Sequence, residues 1–313
     1  MNYFQLFSIS YMTNSVMSEL PYYGLSNTEL QKQLTSDRLS MMFDNNEFVD
    51  YLNNLNSSCL LKELNFQYVT EEQLTAKLKK LDRNIELSVF HMNIRSLNSK
   101  QRQICQLFEL LDYEFDVIIL TEIWTVNINF YANLFTGYDF YYDLPQDSKV
   151  GGVGLFIRNT CTVHELPQYQ ILSTRTSVVE NKWVEVTKES RKYIIGGIYR
   201  HPNQNIADFT SLLEPVLNSI SDQKLPCIIA GDINIDLTKS RVNENTSRYV
   251  DSLLTNNFLP TVLMPTRITP SSATLIDHMY YFEGCGSQNK VAQSGNLLAD
   301  ISDHLPNFML ILH

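Results

Sequence analysis

The sequence predicts an α/β fold whose strands run out into polar loops. Three observations carry this. Ile85–Met92 alternates as a strand, a helix follows over residues 98–113 with Ile104, Leu107, Phe108 and Leu111 at helical spacing, and Phe115–Leu120 is a short buried strand, so the stretch reads as a strand–helix–strand crossover. A second helix, residues 206–219, leads into the apolar strand Cys227–Ala230. These strands also end alike, in Asn93, in Glu122, and in Asp232 with Asn234.

Residues 1–84 differ in texture. They are rich in Asn, Gln, Ser and Leu, with helical spacing at Leu52, Leu55, Cys59 and Leu60 and again over Glu71–Leu81. No strand alternation is visible, so they read as a helical or partly disordered N-terminal extension without chemistry, and the domain boundary is expected near residue 84. In the middle of the chain, residues 149–158 form a strand with a glycine-rich start. This is not a phosphate-cradling loop, because no helix follows and neither the GxGxxG nor the GxxxxGK spacing is present. Further strands are expected over Val178–Thr187 and Tyr193–Tyr199. In the strand that follows helix 206–219, Pro226 is tolerated as an opening residue because no ladder donor is needed there. Gly231 marks a close backbone approach or a bend, and Asp232 and Asn234, two apart, point to one side of extended backbone. A helix is expected over Asn245–Asn256 and a last strand through Phe308–Leu312.

At 313 residues and 44% hydrophobic content the chain can bury a large core. Its net charge of -10 and lack of any basic run argue against tight, passive nucleic-acid binding, which draws on Lys and Arg against phosphates. The same charge does not exclude an enzyme whose carboxylates are balanced by a bound cation. Five cysteines, an odd number without a Cys-x-x-Cys pair, read as reduced residues of an intracellular protein. The N-terminus lacks the basic flank and small-residue cleavage site of a signal peptide. No apolar run reaches the roughly 20 residues of a membrane span, and the absence of a His-x-x-x-His pair argues against zinc.

Taken singly, Asp232 reads equally well as an Asx-turn residue and Glu122 as a surface glutamate. The series is more informative: Asn93-Ile-Arg-Ser-Leu97, Leu120-Thr-Glu-Ile-Trp124, Ile198-Tyr-Arg-His-Pro202, Gly231-Asp-Ile-Asn234, Pro265-Thr-Arg-Ile-Thr269, Ala273-Thr-Leu-Ile-Asp-His278 and Ser302-Asp-His-Leu-Pro306. In this order the motifs resemble the endonuclease/exonuclease/phosphatase superfamily, most nearly the apurinic-type endonuclease domain of LINE-type non-LTR retrotransposons. The resemblance covers residues 85–313. It implies a four-layer α/β sandwich, two packed β-sheets flanked by helices, with catalytic groups on loops at one end.

The resemblance also implies roles. Glu122, with Asn93 and Asp303, would hold Mg²⁺ or Mn²⁺, hard ions that favour oxygen ligands. Asp232 would orient or deprotonate the attacking water, with Asn234 holding that water or the phosphate. Tyr199 would reach the phosphate through its hydroxyl, and His304, charged and oriented by Asp277, would stabilise the pentavalent phosphate. Arg200, Thr266 and Ser302 are candidate substrate contacts, whereas His278 is expected to be structural and His91, His164, His201 and His313 ordinary surface or core residues. The implied activity is an Mg²⁺-dependent DNA endonuclease, acting in the nucleus and leaving a 3′-hydroxyl that primes reverse transcription by a reverse transcriptase domain outside this chain. The alternatives are a superfamily enzyme acting on another phosphoester and a catalytically silent remnant. One departure stands out: Arg95 lies two residues after Asn93, where some apurinic endonucleases carry an acidic or amide residue.

Overall fold

The computed structural model describes residues 47–54, 65–125, 128–145, 149–269, 272–284 and 292–313. Residues 1–46 and 55–64, with the helical spacing expected at Leu55, Cys59 and Leu60, lie outside the described residues.

Among the described residues fifteen strands follow in chain order: β1 Asn65–Val69, β2 Ile85–Asn93, β3 Val117–Thr121, β4 Tyr138–Asp143, β5 Val153–Arg158, β6 Thr162–Glu165, β7 Val179–Lys188, β8 Arg191–Arg200, β9 Cys227–Asp232, β10 Leu259–Pro260, β11 Arg267–Thr269, β12 Ser272–Thr274, β13 Asp277–Phe282, β14 Ala292–Leu297 and β15 Asn307–Leu312. The described helices are α1 Glu47–Asn54, α2 Glu71–Leu81, α3 Leu97–Leu111, α4 Ile206–Gln223 and α5 Glu244–Thr255. One sheet has the order β1-β14-β15-β2-β3-β5-β4, the second β10-β13-β9-β8-β7-β6, and β11 pairs with β12 in a small ribbon. Both large sheets are mixed. β2 and β3 are parallel through the α3 crossover, β8 and β9 through α4, as the period change in the sequence predicts.

Burial explains the layers. Every residue of β2 is buried, so both its faces are covered. Leu87 and Val89 enter the core shared with the second sheet, together with Val117, Ile119 and Leu155. Phe90 and Met92, on the other side of the pleat, join Leu74, Leu78, Ile104, Leu107 and Leu111 of α2 and α3. Phe209, Leu213 and Leu217 of α4 and Tyr249 and Leu253 of α5 pack into the core of the second sheet. The molecule is an α/β sandwich of two sheets flanked by helices.

The structure adds strands that the sequence did not suggest, β1 and β14 among them, and packs the expected helix α2 into the fold. β1 lies within the stretch assigned to the extension, yet it pairs parallel to β14 from Asn65↔Gln293 to Val69↔Leu297. α2, opened by a reciprocal capping box between Thr70 and Gln73, buries Leu74 and Leu78 under the first sheet. The fold therefore continues across the expected boundary at residue 84, and α1 joins it by burying Phe48 and Leu52. β14, Ala-Gln-Ser-Gly-Asn-Leu, lacks β-branched residues; its strand conformation comes from the neighbours it pairs with on both sides.

Gly231 sits at a close backbone approach, one of the two readings its place in the sequence allowed. A Cβ there would lie 1.7 Å from the Ile198 carbonyl oxygen across the β8–β9 pair, a contact with backbone that no rotamer change relieves. Gly231→Ala is expected to cost about 3 kcal/mol of stability. It should appear as a lower denaturant midpoint with an unchanged slope.

Candidate active site

The site forms where strand ends from both sheets meet. β9 ends in Asp232. Its in-register neighbours are Tyr199 of β8 on one side and Asp277 of β13 on the other. In the first sheet Asn93 ends β2 opposite Thr121 of β3, and Glu122 follows. His304 arrives on the loop before β15. Six of the candidate residues are thus delivered by regular hydrogen-bonded registers and short extensions of them.

The Asn93 amide ties the two sheets together. Its Nδ2 donates to Glu122 Oε1 at 2.8 Å and to Asp232 Oδ2 at 2.7 Å, while its Oδ1 accepts the Arg95 amide at 3.1 Å. Asp232 Oδ1 accepts the Asn234 backbone amide at 3.1 Å. The Asn234 side chain donates to the Arg200 carbonyl at 2.9 Å and so braces the β9 exit loop against β8. His304 Nδ1 bonds Asp277 Oδ2 at 2.8 Å, and Thr266 Oγ1 donates to the same oxygen at 2.6 Å. Thr266 therefore orients Asp277. Ser302 is likewise a brace: its hydroxyl donates to the Asn93 carbonyl at 2.7 Å and accepts the His304 amide at 3.1 Å.

Backbone strain collects here. Arg95, Ser96, Glu122, Trp124 and Asn234 all have positive φ, from 43° to 87°, a conformation costing a non-glycine residue about 1 kcal/mol or more. The Glu122 loop is held by backbone bonds from Ser96 to the Glu122 carbonyl, from Leu97 to the Ile123 carbonyl and from Trp124 to the Gly151 carbonyl.

The charges divide into two roles. Burial works against a charge on His304, but the bonded Asp277 carboxylate, aided by Asp232 and Asp303, lifts its pKa to about 9. The imidazole is therefore cationic at neutral pH. Burial also opposes the charge on Asp277, yet the His304 cation and its hydrogen bond hold that carboxyl below its ordinary range. Asp232 carries the unrelieved cost. Burial first and the Asp277 charge second push it to about 7, which is where a general base works best at neutral pH. Burial, then Glu122 and Asp232, push the Tyr199 hydroxyl far up, so it stays protonated and can donate a hydrogen bond.

Asp232, Asp277 and His304 each bring one potential ligand atom within 4.8 Å of the others. A protonated imidazole is no metal ligand, so this trio is an ion pair facing a base. The donor set suited to a hard divalent cation is instead Glu122 with Asp232, bridged by Asn93. Asp277 Oδ1 is buried beside them without a hydrogen-bond partner. A cation among these oxygens would offset the repulsion that raises Asp232. The residues present fit a divalent metal ion.

Two candidates are placed elsewhere. Arg200, 1% exposed, spends its guanidinium on the carbonyls of Ile233 at 3.0 Å, Asn234 at 3.1 Å and Gln204, and lies over the Phe209 ring. It holds the loop below the site and does not face a substrate. Asp303 has both oxygens taken by guanidinium groups, Oδ1 by Arg95 and Oδ2 by Arg267, so it is not an open metal ligand. His278 is structural as expected, bonded to Tyr249 and to the Ile235 carbonyl. His91, expected to be ordinary, is a buried strut between Thr121 and Asn307. His201 pairs with the buried Glu180, which also accepts the Gly152 amide; its position two residues after Tyr199 is the only sign of this in the sequence. A cavity of about 690 Å³ lies at the opposite ends of the strands, lined by Tyr113, Asp116, Arg158 and Lys188 among others, and none of the candidate residues reaches it.

The fold is the α/β sandwich of the phosphoesterase class. The chain belongs to the Endonuclease/Exonuclease/phosphatase family, whose model matches residues 90–304. Members of this family are typically hydrolases of phosphoesters and generally use divalent metal ions. No curated protein matches the chain. Among solved structures it is similar to a humanized TDP2 of D. rerio at 14% identity and TM-score 0.54, covering 72% of this chain and 99% of that one. It is equally similar to a mannosyl-6-phosphatase of Bacteroides thetaiotaomicron, with 14% identity, TM-score 0.54, and 73% and 100% covered. The endonuclease domain of TRAS1, a telomere-specific non-LTR retrotransposon, matches with 14% identity, TM-score 0.52, and 72% and 98% covered. At such identities the likeness is one of fold. Among the described residues no helix is long and apolar enough to cross a membrane.

Proposed function

We propose that this chain is a metal-dependent DNA endonuclease that nicks one strand and leaves a 3′-hydroxyl able to prime reverse transcription. The observation that carries phosphoester hydrolysis is the bridge from Glu122 through Asn93 to Asp232, facing the His304–Asp277 ion pair. The ordered motifs from Asn93 to Pro306, which resemble those of retrotransposon endonucleases, support DNA over a sugar phosphate. Action on DNA would place the protein in the nucleus, with a reverse transcriptase as the partner that uses the nick.

In this reading Glu122, linked through Asn93 to Asp232, would hold Mg²⁺ or Mn²⁺, which when bound would supply positive charge to the phosphoryl oxygens and the leaving group. Asp232 takes the proton from the attacking water. The Asn234 amide fixes the carboxylate that does so. His304, kept cationic by Asp277, and the Tyr199 hydroxyl donate to the non-bridging oxygens as negative charge builds on them. Holding water and phosphate in line between these groups supplies the rest of the acceleration.

The test is conversion of supercoiled plasmid to open circle with Mg²⁺ and its suppression by EDTA, beside a panel of sugar and inositol phosphates. Nicking is the expected result. A folded protein that hydrolyses a panel phosphate and leaves plasmid intact would overturn the DNA assignment.

A further inference from the structure

We propose that Arg95 and Arg267, joined through Asp303, form a subsite for a DNA phosphodiester flanking the one that is cleaved; this rests on the endonuclease reading above. The three residues come from three separate segments of the chain. Arg95 stands two residues after Asn93 and gives its backbone amide to the Asn93 side chain. Arg267 opens β11, next to the Thr266 that orients Asp277. Asp303 precedes His304. Each is one or two residues from a group of the site.

Their geometry is that of a clamp. Arg95 Nη1 donates to Asp303 Oδ1 at 3.0 Å, and Arg267 donates through Nε at 3.0 Å and Nη2 at 2.8 Å to Oδ2. The carboxylate is largely covered, with 15% of its side chain exposed, while the arginine side chains remain 47% and 42% exposed. A guanidinium has five N–H groups in a planar fork that matches phosphate oxygens. Asp303 engages one of these on Arg95 and two on Arg267.

Stability alone does not account for the arrangement. Exposed ion pairs contribute roughly 0.2–1 kcal/mol. Arg95 and Ser96 hold φ of 43° and 87°, and left-handed backbone costs such residues about 1 kcal/mol each or more. The loop gives up at least as much as the pair returns. What the strain secures is the direction of the Arg95 guanidinium, which meets Arg267 across the Asp303 carboxylate, one residue before His304. For a chain of net charge -10, local cations of this kind are what a polyanion needs in order to dock. A small phosphomonoester offers no second phosphate to this position; a nucleic-acid strand does.

The test is fluorescence anisotropy of a short labelled DNA duplex in Ca²⁺, with wild type and the double variant Arg95→Gln/Arg267→Gln, across a salt series. The variant is expected to bind at least about tenfold more weakly, and the slope of log affinity against log salt should fall by about one for each arginine that meets a phosphate. The pair Arg95→Lys/Arg267→Lys should keep the slope, and the single variants Arg95→Gln and Arg267→Gln, each expected to lower it by about one, serve in place of the double glutamine variant if that fails to fold. Weaker binding with an unchanged slope would make the arginines structural props and overturn the proposal, as would a wild type that does not bind duplex at all. A wild type that binds with the expected slope yet fails to nick plasmid in Mg²⁺ would sink the endonuclease reading and leave the subsite standing. A nicking wild type whose variant has an unchanged slope would do the reverse.

Discussion

Asp232→Asn is expected to lower the nicking rate by a factor on the order of 10³ to 10⁴. The side chain is fully buried and its two oxygens have different jobs. Oδ1 accepts the Asn234 amide and Oδ2 accepts Asn93 Nδ2, through which Asp232 is linked to Glu122. An asparagine retains one acceptor. Its own Nδ2 would then face either the Asn234 amide or the Asn93 amide, donor against donor. On the proposed mechanism the variant loses the proton acceptor and one acceptor of the Asn93 bridge to Glu122 in one step. The loss need not come from unfolding. The raised pKa of Asp232, about 7, means that the folded protein bears the cost of a buried charge as pH rises above the ordinary carboxylate range, in full above pH 7. At pH 8 the variant is relieved of that cost, so without metal it should melt no lower than wild type. A folded variant retaining more than about a tenth of the wild-type rate would remove Asp232 from the role of base.

Much of this site was legible in the sequence because its residues sit at ends of well-patterned strands. Asn93, Glu122, Tyr199 and Asp232 each follow an apolar run, and strand pairing does the rest: once β8, β9 and β13 are in register, Tyr199, Asp232 and Asp277 must be neighbours. The β2–α3–β3 and β8–α4–β9 crossovers were visible as changes of hydrophobic period. What escaped was whatever depends on distant partners. Nothing local to Asp303 reveals that Arg95, 208 residues away, and Arg267, 36 residues away, occupy its oxygens. Arg200 reads as either a phosphate contact or a surface charge until burial shows it spent on backbone carbonyls. β1 is a short polar-apolar mixture whose strand exists because β14 offers an edge, and Tyr68 on it reaches across to donate to the Pro265 carbonyl at 2.8 Å, beside Thr266. The segment read as an extension therefore supports the loop that orients Asp277, a connection only the folded chain displays.

Asp277→Asn is expected to cut activity by about 10³-fold at neutral pH and to move the alkaline limb of the pH–rate profile to lower pH. The geometry should survive. The substituted amide can present its oxygen to Thr266 and His304 where Oδ2 of Asp277 now lies, and its nitrogen would take the place of Oδ1, which has no hydrogen-bond partner. What disappears is the charge. His304 is 4% exposed, and burial alone would push its pKa down; the Asp277 carboxylate is the chief influence that carries it to about 9. Without that anion the imidazole loses its proton near or below neutrality, and a neutral ring offers far less to a pentavalent phosphate. Linkage gives an independent check with a definite sign. In wild type the raised pKa of His304 adds stability that is complete below about pH 6.5 and is lost as pH rises through about 9. The depressed pKa of Asp277 adds stability above the ordinary carboxylate range of about 4, lost as pH falls below it. The variant should lack both contributions, so its deficit in melting temperature should be greatest between these limits and shrink toward either extreme. NMR titration of His304 in the two proteins reads the same change directly. An unshifted histidine, with an unshifted pH–rate profile, would mean that Asp277 serves only to position the ring.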